Sequence, residues 1–402
     1  MTKKMELLGR GLRIVRQSPH ILPTVARMEF RHRYGIAWDQ RRATGYSAPP
    51  TNLAICLTLR CNLKCSMCRQ IRGGQDVPEN RSWFFGKGEM ELSAWISLLD
   101  QVKGFHPWLY VTGGEPLLSP FFKEFVEAAR RRHLVVQLQT NGTRLAQVAE
   151  FLVEQGVVAV TISLDGPPEV HDAIRGVKGT FKRVAEGVQA LMEAREKHRS
   201  PTPVLSFNCT ISKDNVAWLA DMVPLAISLK ADVLQFQHTM FNSPEKVERH
   251  NAFFSPARVE GLGLEMAFPS ICDGEYYQSA ITTEDIPVLK ASLAKARELA
   301  RDRLQLVFMP NLPAEVMGPY YLDLDHPFLP GCDFFWKTLR VSPDGTISPC
   351  LNFKVGNLKE LTFAAIWNGP KMRKLRQLFK QRLFPGCLRC CQRHYTKGSR
   401  AF

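Results

Sequence analysis

Acidic residues are missing where the chain is most basic. Residues 371–402 hold ten Lys/Arg and no Asp or Glu, and residues 1–50 hold ten Lys/Arg against three acids. The formal net charge of +15 is therefore carried by the two ends, and the 320 residues between them are close to neutral. This excludes a uniformly basic fold and points to an anionic partner at the ends. No window approaches the roughly 18 uninterrupted apolar residues of a membrane-spanning helix. The opening MTKKMELLGRGLRIVRQ has no apolar core followed by a small-residue cleavage site, so no secretory signal is expected. There is no repeat of fixed period and no low-complexity tract. With 45% hydrophobic and 23% charged residues, a mainly disordered chain is excluded too. A cytoplasmic location is expected, where thiols stay reduced. Eleven cysteines, several of them clustered, then indicate metal or iron–sulfur ligation before disulfides.

Residues 1–50 read as a basic amphipathic arm. Leu8, Leu12, Ile14 and Val15 fall on helical spacing beside Arg10, Arg13 and Arg16. Such a helix either docks on the body with a solvated basic side or lies on anionic lipid. Short β-rich runs follow at Leu53–Leu57, Trp108–Thr112, Leu134–Gln139, Val157–Ser163, Val204–Ile211 and Val233–Gln237. Helical patterns separate them near 91–103, 119–132, 145–155, 181–198 and 214–229. The runs read as continuously apolar, as parallel strands covered on both sides are. Six such units predict an α/β fold with a partial (β/α)6 parallel barrel over residues 51–240. Residues 241–284 read as irregular and aromatic-rich, and a helix near 285–302 leads to one more strand, Leu304–Met309. Residues 241–329 thus form an irregular to helical bridge. Residues 330–402 carry a PDGT turn between two short strands, a helix near 371–382 and five cysteines, and are expected to form a small Cys-rich C-terminal domain.

Directly after the first strand stands CNLKCSMC, with Cys61, Cys65 and Cys68 in C-x3-C-x2-C spacing. Three thiolates this close wrap one face of a cubane cluster and leave one iron without a protein ligand. A structural zinc site needs a fourth ligand, and no His or Cys follows within thirty residues. After the second strand comes TGGEP, with Gly113, Gly114 and Glu115; paired glycines permit close backbone approach, and a carboxylate suits an ammonium group. After the third, QTNGT offers Thr140 and Asn141; after the fourth, ISLDGP offers Ser163 and Asp165, and HDAIRG brings Arg175. All fall at the C-terminal ends of successive strands, where parallel barrels place their chemistry.

In this order the motifs over residues 53–240 resemble those of the radical S-adenosylmethionine (radical SAM) superfamily. The resemblance implies a [4Fe–4S] cluster on Cys61, Cys65 and Cys68 whose open iron chelates S-adenosylmethionine. One electron then cleaves the sulfonium to give methionine and a 5′-deoxyadenosyl radical. It also implies that the Gly113–Glu115 segment receives the methionine amino group, with Thr140 and Asn141 at the mouth. Ser163 and Asp165 match positions near the ribose and the methionyl moiety, and Arg175 one that pairs the methionine carboxylate. Asn208 on the fifth strand has no readable sidedness. Met67 stands where the family often has an aromatic residue near adenine, and a thioether still packs on a purine face.

In the tail, Cys332 and Cys350 are separated by 17 residues, Cys350 and Cys387 by 36, and Cys387 and Cys390 by two. Spacing alone permits zinc. The segment also resembles the SPASM or shortened "twitch" extensions of radical SAM enzymes, which hold auxiliary [4Fe–4S] clusters. Five cysteines suit one such cluster, on Cys332, Cys350, Cys387 and Cys390, with Cys391 the alternate for the last. Cys56, Cys209 and Cys272 have no partner spacing and read as packed thiols. The fold class expected from the whole is α/β, a partial (β/α)6 parallel barrel with a small Cys-rich C-terminal Fe–S domain.

The resemblance implies a reductant such as flavodoxin or ferredoxin and a small-molecule, lipid-linked or peptide substrate. The basic ends suggest peripheral contact with an anionic membrane at the inner surface, or nucleic acid through the tail KMRKLRQLFKQR, or simply a solvated face. Phe241, Phe253, Phe254, Tyr276, Tyr277, Tyr320 and Tyr321 line an apolar cavity or belong to the core. No catalytic base is selected among Asp273, Asp323, Asp325 and His326, and His238 at a strand end is the better candidate for substrate contact. The competing function is a non-catalytic Fe–S or zinc protein that binds nucleic acid.

Overall fold

The computed structural model describes residues 14–68, 71–72, 75–76, 88–266, 279–326, 332–350 and 352–381, with 384, 387 and 389. Short runs rich in Val, Ile, Phe and Thr form the strands β1 (Asn52–Cys56), β2 (Trp108–Thr112), β3 (Val135–Thr140), β4 (Ala159–Ser163), β5 (Val204–Ile211), β6 (Val233–His238) and β7 (Gln305–Met309). The C-terminal segment adds β8 (Thr338–Val341), β9 (Thr346–Ser348) and β10 (Gly356–Asn357). One sheet holds all ten in the order β7-β6-β5-β4-β3-β2-β1-β8-β9-β10. Pairing is parallel from β7 through β8 and antiparallel among β8, β9 and β10. Helices Leu92–Val102, Phe122–Arg131, Ala149–Glu154, Thr180–Lys197, Met222–Ser228 and Asp285–Ala300 make the crossovers.

The α/β class and the mostly parallel sheet are as expected, and the details differ instructively. The parallel array has eight strands rather than six, because β7 joins β6 and β8 joins β1. Asn52 lies opposite Thr338 and Ile55 opposite Val341, so the Cys-rich segment continues the barrel sheet and covers what would be a bare edge at β1. The strands are also not continuously apolar. Leu109, Val111, Leu138, Ile162 and Phe207 are buried in the core under the helices. Tyr110, Gln139, Ser163, Asn208 and Gln235 alternate with them on the other face. Trp108 Nε1 donates to Gln137 (2.9 Å), whose amide donates to Thr161 (3.1 Å). One layer up, the Tyr110 hydroxyl donates to Gln139 (2.8 Å), whose amide donates to Ser163 (3.0 Å). The inner face is thus a polar lining rather than a packed core.

The bridge expected to be irregular over 241–284 contains helices Pro244–Phe253 and Pro256–Gly261. Both start at a Ser-Pro pair, with Pro at the first helical position, and Ser243 Oγ accepts from the Lys246 amide (3.3 Å). The described part of the N-terminal arm docks. A helical rod runs Ile21–Phe30, through a π turn at Arg31–Gly35, to Ile36–Arg41. Ile21 packs on Val135 and Val158, beside Ile14 and Trp108 at the strand starts. Leu8, Leu12, Arg10 and Arg13 lie outside the described residues.

A buried charge holds the rod. Arg31 donates to Asp39 Oδ2 (2.7 Å), Ser47 Oγ (3.2 Å) and the Trp336 carbonyl (3.3 Å), while Asp39 Oδ2 also accepts from Ser47 Oγ and the Ala48 amide. On the same side Arg376 donates to the carbonyls of Gly45 (3.0 Å), Phe335 (3.1 Å) and Trp367 (2.9 Å), so the end of the arm and the helix Pro370–Gln381 close on one another. Replacing Arg31 with Ala leaves the buried Asp39 carboxylate with the half-exposed Arg42, 3.8 Å from its other oxygen, as its remaining counter-charge, and is expected to cost about 3 kcal/mol. The check is the urea midpoint: an unchanged value would show that the pair does not hold the rod.

Candidate iron–sulfur and cofactor centre

The loop after β1 carries Cys61, Cys65 and Cys68, of which Cys65 is buried and the other two half-buried. Its shape is set by backbone bonds to the segment after β2 and to the C-terminal end of the helix Pro168–Arg175. The Gly114 amide donates to the Thr58 carbonyl (2.9 Å) and the Glu115 amide to that of Arg60 (2.7 Å). From the other side, the amides of Lys64 and Ser66 donate to the carbonyls of Arg175 (3.2 Å) and Ile174 (2.9 Å). The paired glycines serve this approach. A Cβ on Gly114 would lie 2.3 Å from the Arg60 carbonyl oxygen, and Gly113, at φ +143°, would place one 2.4 Å from that of Thr58. The chain that approaches them closely is the cysteine loop itself.

Glu115 is fully buried and accepts from the Leu117 amide (3.1 Å), Thr140 Oγ1 (2.7 Å) and the Asn141 amide (2.7 Å). Burial raises its carboxyl, and these donors offset part of the rise. The Asn141 side-chain amide donates to Asn62 Oδ1 (2.9 Å) and lies 4.0 Å from Cys61 Sγ. At the next strand end, Asp165 Oδ1 accepts from the Thr210 amide (2.9 Å), and its other oxygen is ion-paired with Arg175. Arg175 Nη1 also reaches Cys65 Sγ at 3.6 Å. Burial raises the Asp165 carboxyl, and the Arg175 guanidinium pulls against that rise. Burial raises the Cys61 thiol to about 11 and the Cys65 thiol above its usual value, and at Cys65 the Arg175 guanidinium pulls against that rise. Arg175 is engaged by both Asp165 and Cys65.

Among the described residues, the only His/Cys/Asp/Glu group with ligand atoms all within 4.8 Å of one another is Glu150, Glu154 and His198, exposed on the surface. The sulfurs of Cys61, Cys65 and Cys68 are therefore more widely spread. A single zinc ion with Zn–S near 2.3 Å would draw them to roughly 3.8 Å. Three soft ligands on a wide loop suit a cluster instead.

Asn208 faces inward: it lies in register with Ser163 and accepts from the Gln235 amide (2.8 Å). Met67 is half-buried in the cysteine loop. The residues that sequence reasoning passed over are Tyr110, Gln137, Gln139, Thr161 and Gln235. The signal was present as polar residues two apart within strand runs, as in VVQLQT.

His238 is enclosed rather than open at the mouth. Its Nδ1 lies 2.5 Å from the Tyr321 hydroxyl, it packs among Tyr320, Tyr321 and Phe241, and burial lowers its pKa to about 3. Phe241, Phe254, Tyr320 and Tyr321 are core, with Phe241 stacked on Tyr321 at 5.4 Å. Asp325 is exposed and paired with Lys246, and the Asp323 carboxylate accepts from the amides of Asp325 and His326. Asp273, Tyr276 and Tyr277 lie outside the described residues.

In the C-terminal segment Cys332, Cys350 and Cys387 are half-buried against the common core, and Cys332 lies close enough to Cys350 to disfavour its charge. Cys350 Sγ accepts from the Asn352 amide (3.4 Å). Arg389 pins the last cysteine loop to the helix Ala314–Leu322, donating to the carbonyls of Tyr320 (2.6 Å) and Asp323 (2.7 Å). Cys390 and Cys391 lie outside the described residues. Cys56 and Cys209 are buried, and burial pushes both thiols well above the usual range; Cys272 is not described.

Residues 55–207 match the radical SAM superfamily, and residues 332–391 match the SPASM iron–sulfur cluster-binding domain, together more than half of the chain. The chain belongs to the radical SAM superfamily. Its two domains imply [4Fe–4S] clusters and S-adenosylmethionine. This radical SAM chain is 28% identical to an AdoMet-dependent heme synthase of Methanosarcina barkeri, over 88% of the chain and 91% of that protein. It is 24% identical to a tungsten-containing aldehyde ferredoxin oxidoreductase cofactor-modifying protein of Pyrococcus furiosus, over 84% of the chain and 86% of the relative. The mycofactocin maturase MftC of Mycobacterium tuberculosis matches at 32%, over 42% of the chain and 40% of that protein. In fold it is similar to Streptococcus suis SuiB, bound to its precursor peptide SuiA, with TM-score 0.60 and 14% identity over 92% of the chain and 79% of SuiB.

Replacing Gly114 with Ala drives a methyl group into two carbonyls of the cysteine loop. The expected outcome is loss of the N-terminal cluster, about four irons per chain, with helical circular dichroism kept. Full iron content in the variant would show that the loop has room to yield.

Proposed function

We propose that this chain cleaves S-adenosylmethionine reductively and uses the 5′-deoxyadenosyl radical to take hydrogen from an unactivated C–H bond, an auxiliary [4Fe–4S] cluster aiding the oxidation or bond formation that follows. The observation that carries the reading is the convergence of the Cys61–Cys68 loop, Glu115, Asn141 and the Asp165–Arg175 pair at the C-terminal strand ends, above a polar inner face. Cys61, Cys65 and Cys68 hold the first cluster in this reading, and Cys332, Cys350, Cys387 and Cys390 the second. Gly113, Gly114 and Glu115 form the wall for the methionine amino group, with Thr140, Asn141, Ser163, Asp165 and Arg175 completing the cofactor site. Arg175 stabilises negative charge on the cluster side, through Cys65, as well as any carboxylate that reaches it. The division of labour follows the chain: arm 1–50, barrel 51–240, bridge 241–329 and auxiliary domain 330–402. Work at low potential in a reducing cytoplasm, with flavodoxin or ferredoxin as reductant, suits thiolate-held clusters.

The substrate this site favours is a polar molecule. Tyr110, Gln139, Ser163, Asn208 and Gln235 supply hydrogen bonds along the inner face, as polar groups fix orientation in small-molecule sites. Relatives aligned over most of their length are named for heme and Fe-coproporphyrin III, carboxylate-bearing macrocycles that fit that description. A lipid-linked substrate draws less support than the arm's sequence suggested, since the described arm packs at the strand starts, away from the cysteine loop. A peptide is the second reading, favoured by the mycofactocin maturase match.

Anaerobic reconstitution followed by dithionite and S-adenosylmethionine tests the reading. About eight irons per chain, as two [4Fe–4S] clusters require, together with 5′-deoxyadenosine are expected. Cys65→Ala should reduce 5′-deoxyadenosine to background, whereas Cys387→Ala should keep cleavage and lose about four irons per chain. Cleavage that survives in Cys65→Ala would sink the assignment. A loaded, reducible cluster that yields no 5′-deoxyadenosine would favour the non-catalytic, nucleic-acid-binding alternative.

A further inference from the structure

Ten large apolar side chains stay exposed among the described residues, and six of them lie between residues 22 and 46. Phe30, Tyr34 and Trp38 are 63%, 59% and 65% exposed, with Leu22 and Val25 preceding them on the same rod. A spacing of four residues drifts around an ordinary helix. The π turn at Arg31–Gly35 widens the coil where the spacing requires it, and the Phe30 and Tyr34 rings lie 5.9 Å apart. The opposite side of the rod is fixed by Ile21, Thr24, Arg31, Ile36 and Asp39, all buried, so the aromatic strip is held outward rather than swinging free.

The charge around the strip is mostly positive. Arg16, Arg33, Arg41 and Arg42 are exposed, and of the two acids in residues 14–50 only Glu29 faces solvent, since Asp39 is buried against Arg31. The helix Pro370–Gln381, which contains no acid, docks along the end of the rod. Its Arg373, Gln377 and Lys380 donate to the carbonyls of Thr44 (2.9 Å), Ala43 (3.0 Å) and Arg41 (3.4 Å), and Arg373 stacks over Tyr46 at 4.3 Å. The described parts of the two basic segments thus form one surface.

We propose that the rod Ile21–Arg41, with the helix Pro370–Gln381 beside its end, is a docking face for the anionic surface of a phospholipid bilayer. Aromatic rings project to the depth of the headgroups and arginines pair with the phosphates around them, the composition that interfacial helices use. No helix among the described residues is long and apolar enough to cross a membrane, so the contact is with one leaflet. Nucleic acid would leave the outward aromatic strip without a partner, and a second copy of the chain would set two basic faces against each other. Because the rod packs at the strand starts, docking turns the cysteine loop away from the lipid, and substrate enters from the aqueous side. The proposal does not depend on the radical chemistry.

The test is co-sedimentation of the reconstituted full chain with vesicles of phosphatidylcholine alone and of phosphatidylcholine mixed with phosphatidylglycerol. Wild type should pellet with the anionic vesicles only and be released by salt. The triple variant Phe30→Ser, Tyr34→Ser, Trp38→Ser should bind about tenfold or more weakly, with 5′-deoxyadenosine formation in solution unchanged as the proof of an intact fold. Arg33→Glu with Arg41→Glu should weaken binding independently of the strip. Wild type left in the supernatant, or equal binding by wild type and both variants, overturns the proposal. Self-association that disappears in the triple variant, without vesicle binding, overturns it in favour of a second copy. Loss of 5′-deoxyadenosine in wild type would count against the radical reading alone.

Discussion

The cysteine-loop end of this protein depends on a set of backbone hydrogen bonds that clamp the loop between the segment after β2 and the C-terminal end of the helix Pro168–Arg175. On one side Thr58 and Arg60 accept from Gly114 and Glu115; on the other Lys64 and Ser66 donate to Arg175 and Ile174. A loop eight residues long with one buried and two half-buried cysteines has little core of its own. Its position is inherited from the elements it touches, and every chemical group near the sulfurs arrives through the same clamp. Glu115 ties the Asn141 turn to that assembly, and Arg175 ties in Asp165. These groups are therefore held together by polypeptide contacts.

How much of this was legible in the sequence differs by element. Strand positions, their order and the strand-end motifs were readable, because each combines a short apolar run with a turn signal, as in VTGGEP and ISLDGP. The polar inner face was not recognised, since Gln139 or Asn208 inside an apolar run looks like an interruption until the sheet's curvature gives it a partner. The Ser-Pro starts of the bridge helices carried a local signal that the surrounding aromatic residues masked. His238 was placed correctly at a strand end but not in its burial, which is decided by Tyr320 and Tyr321 more than eighty residues away. Arg175 is similar. Its position was visible, but its engagement with Cys65 depends on a contact across 110 residues.

The expected boundary between barrel and C-terminal domain is not a break in hydrogen bonding. β8 continues the parallel sheet from β1, so the strand that leads into the first cysteine loop is bonded directly to one that lies between Cys332 and Cys350. Arg31 and Arg376 close the same seam from the N-terminal arm and the C-terminal helix. Buried guanidiniums that donate to main-chain carbonyls fix geometry without requiring a particular partner side chain, which suits a seam joining distant parts of the chain.

The pairing of β1 with β8 also has a consequence for biosynthesis. Thr51 and Lys337, which bond at the foot of the two strands, are 286 residues apart. At ordinary rates of translation, β1 leaves the ribosome roughly 15–60 s before its edge partner exists. Throughout that interval a hydrophobic strand has an unpaired side, and the loop that follows it carries three reactive thiols. Non-local pairing of this kind folds slowly, so the nascent chain passes through a long window in which chaperones and cluster-delivery machinery compete with aggregation and oxidation.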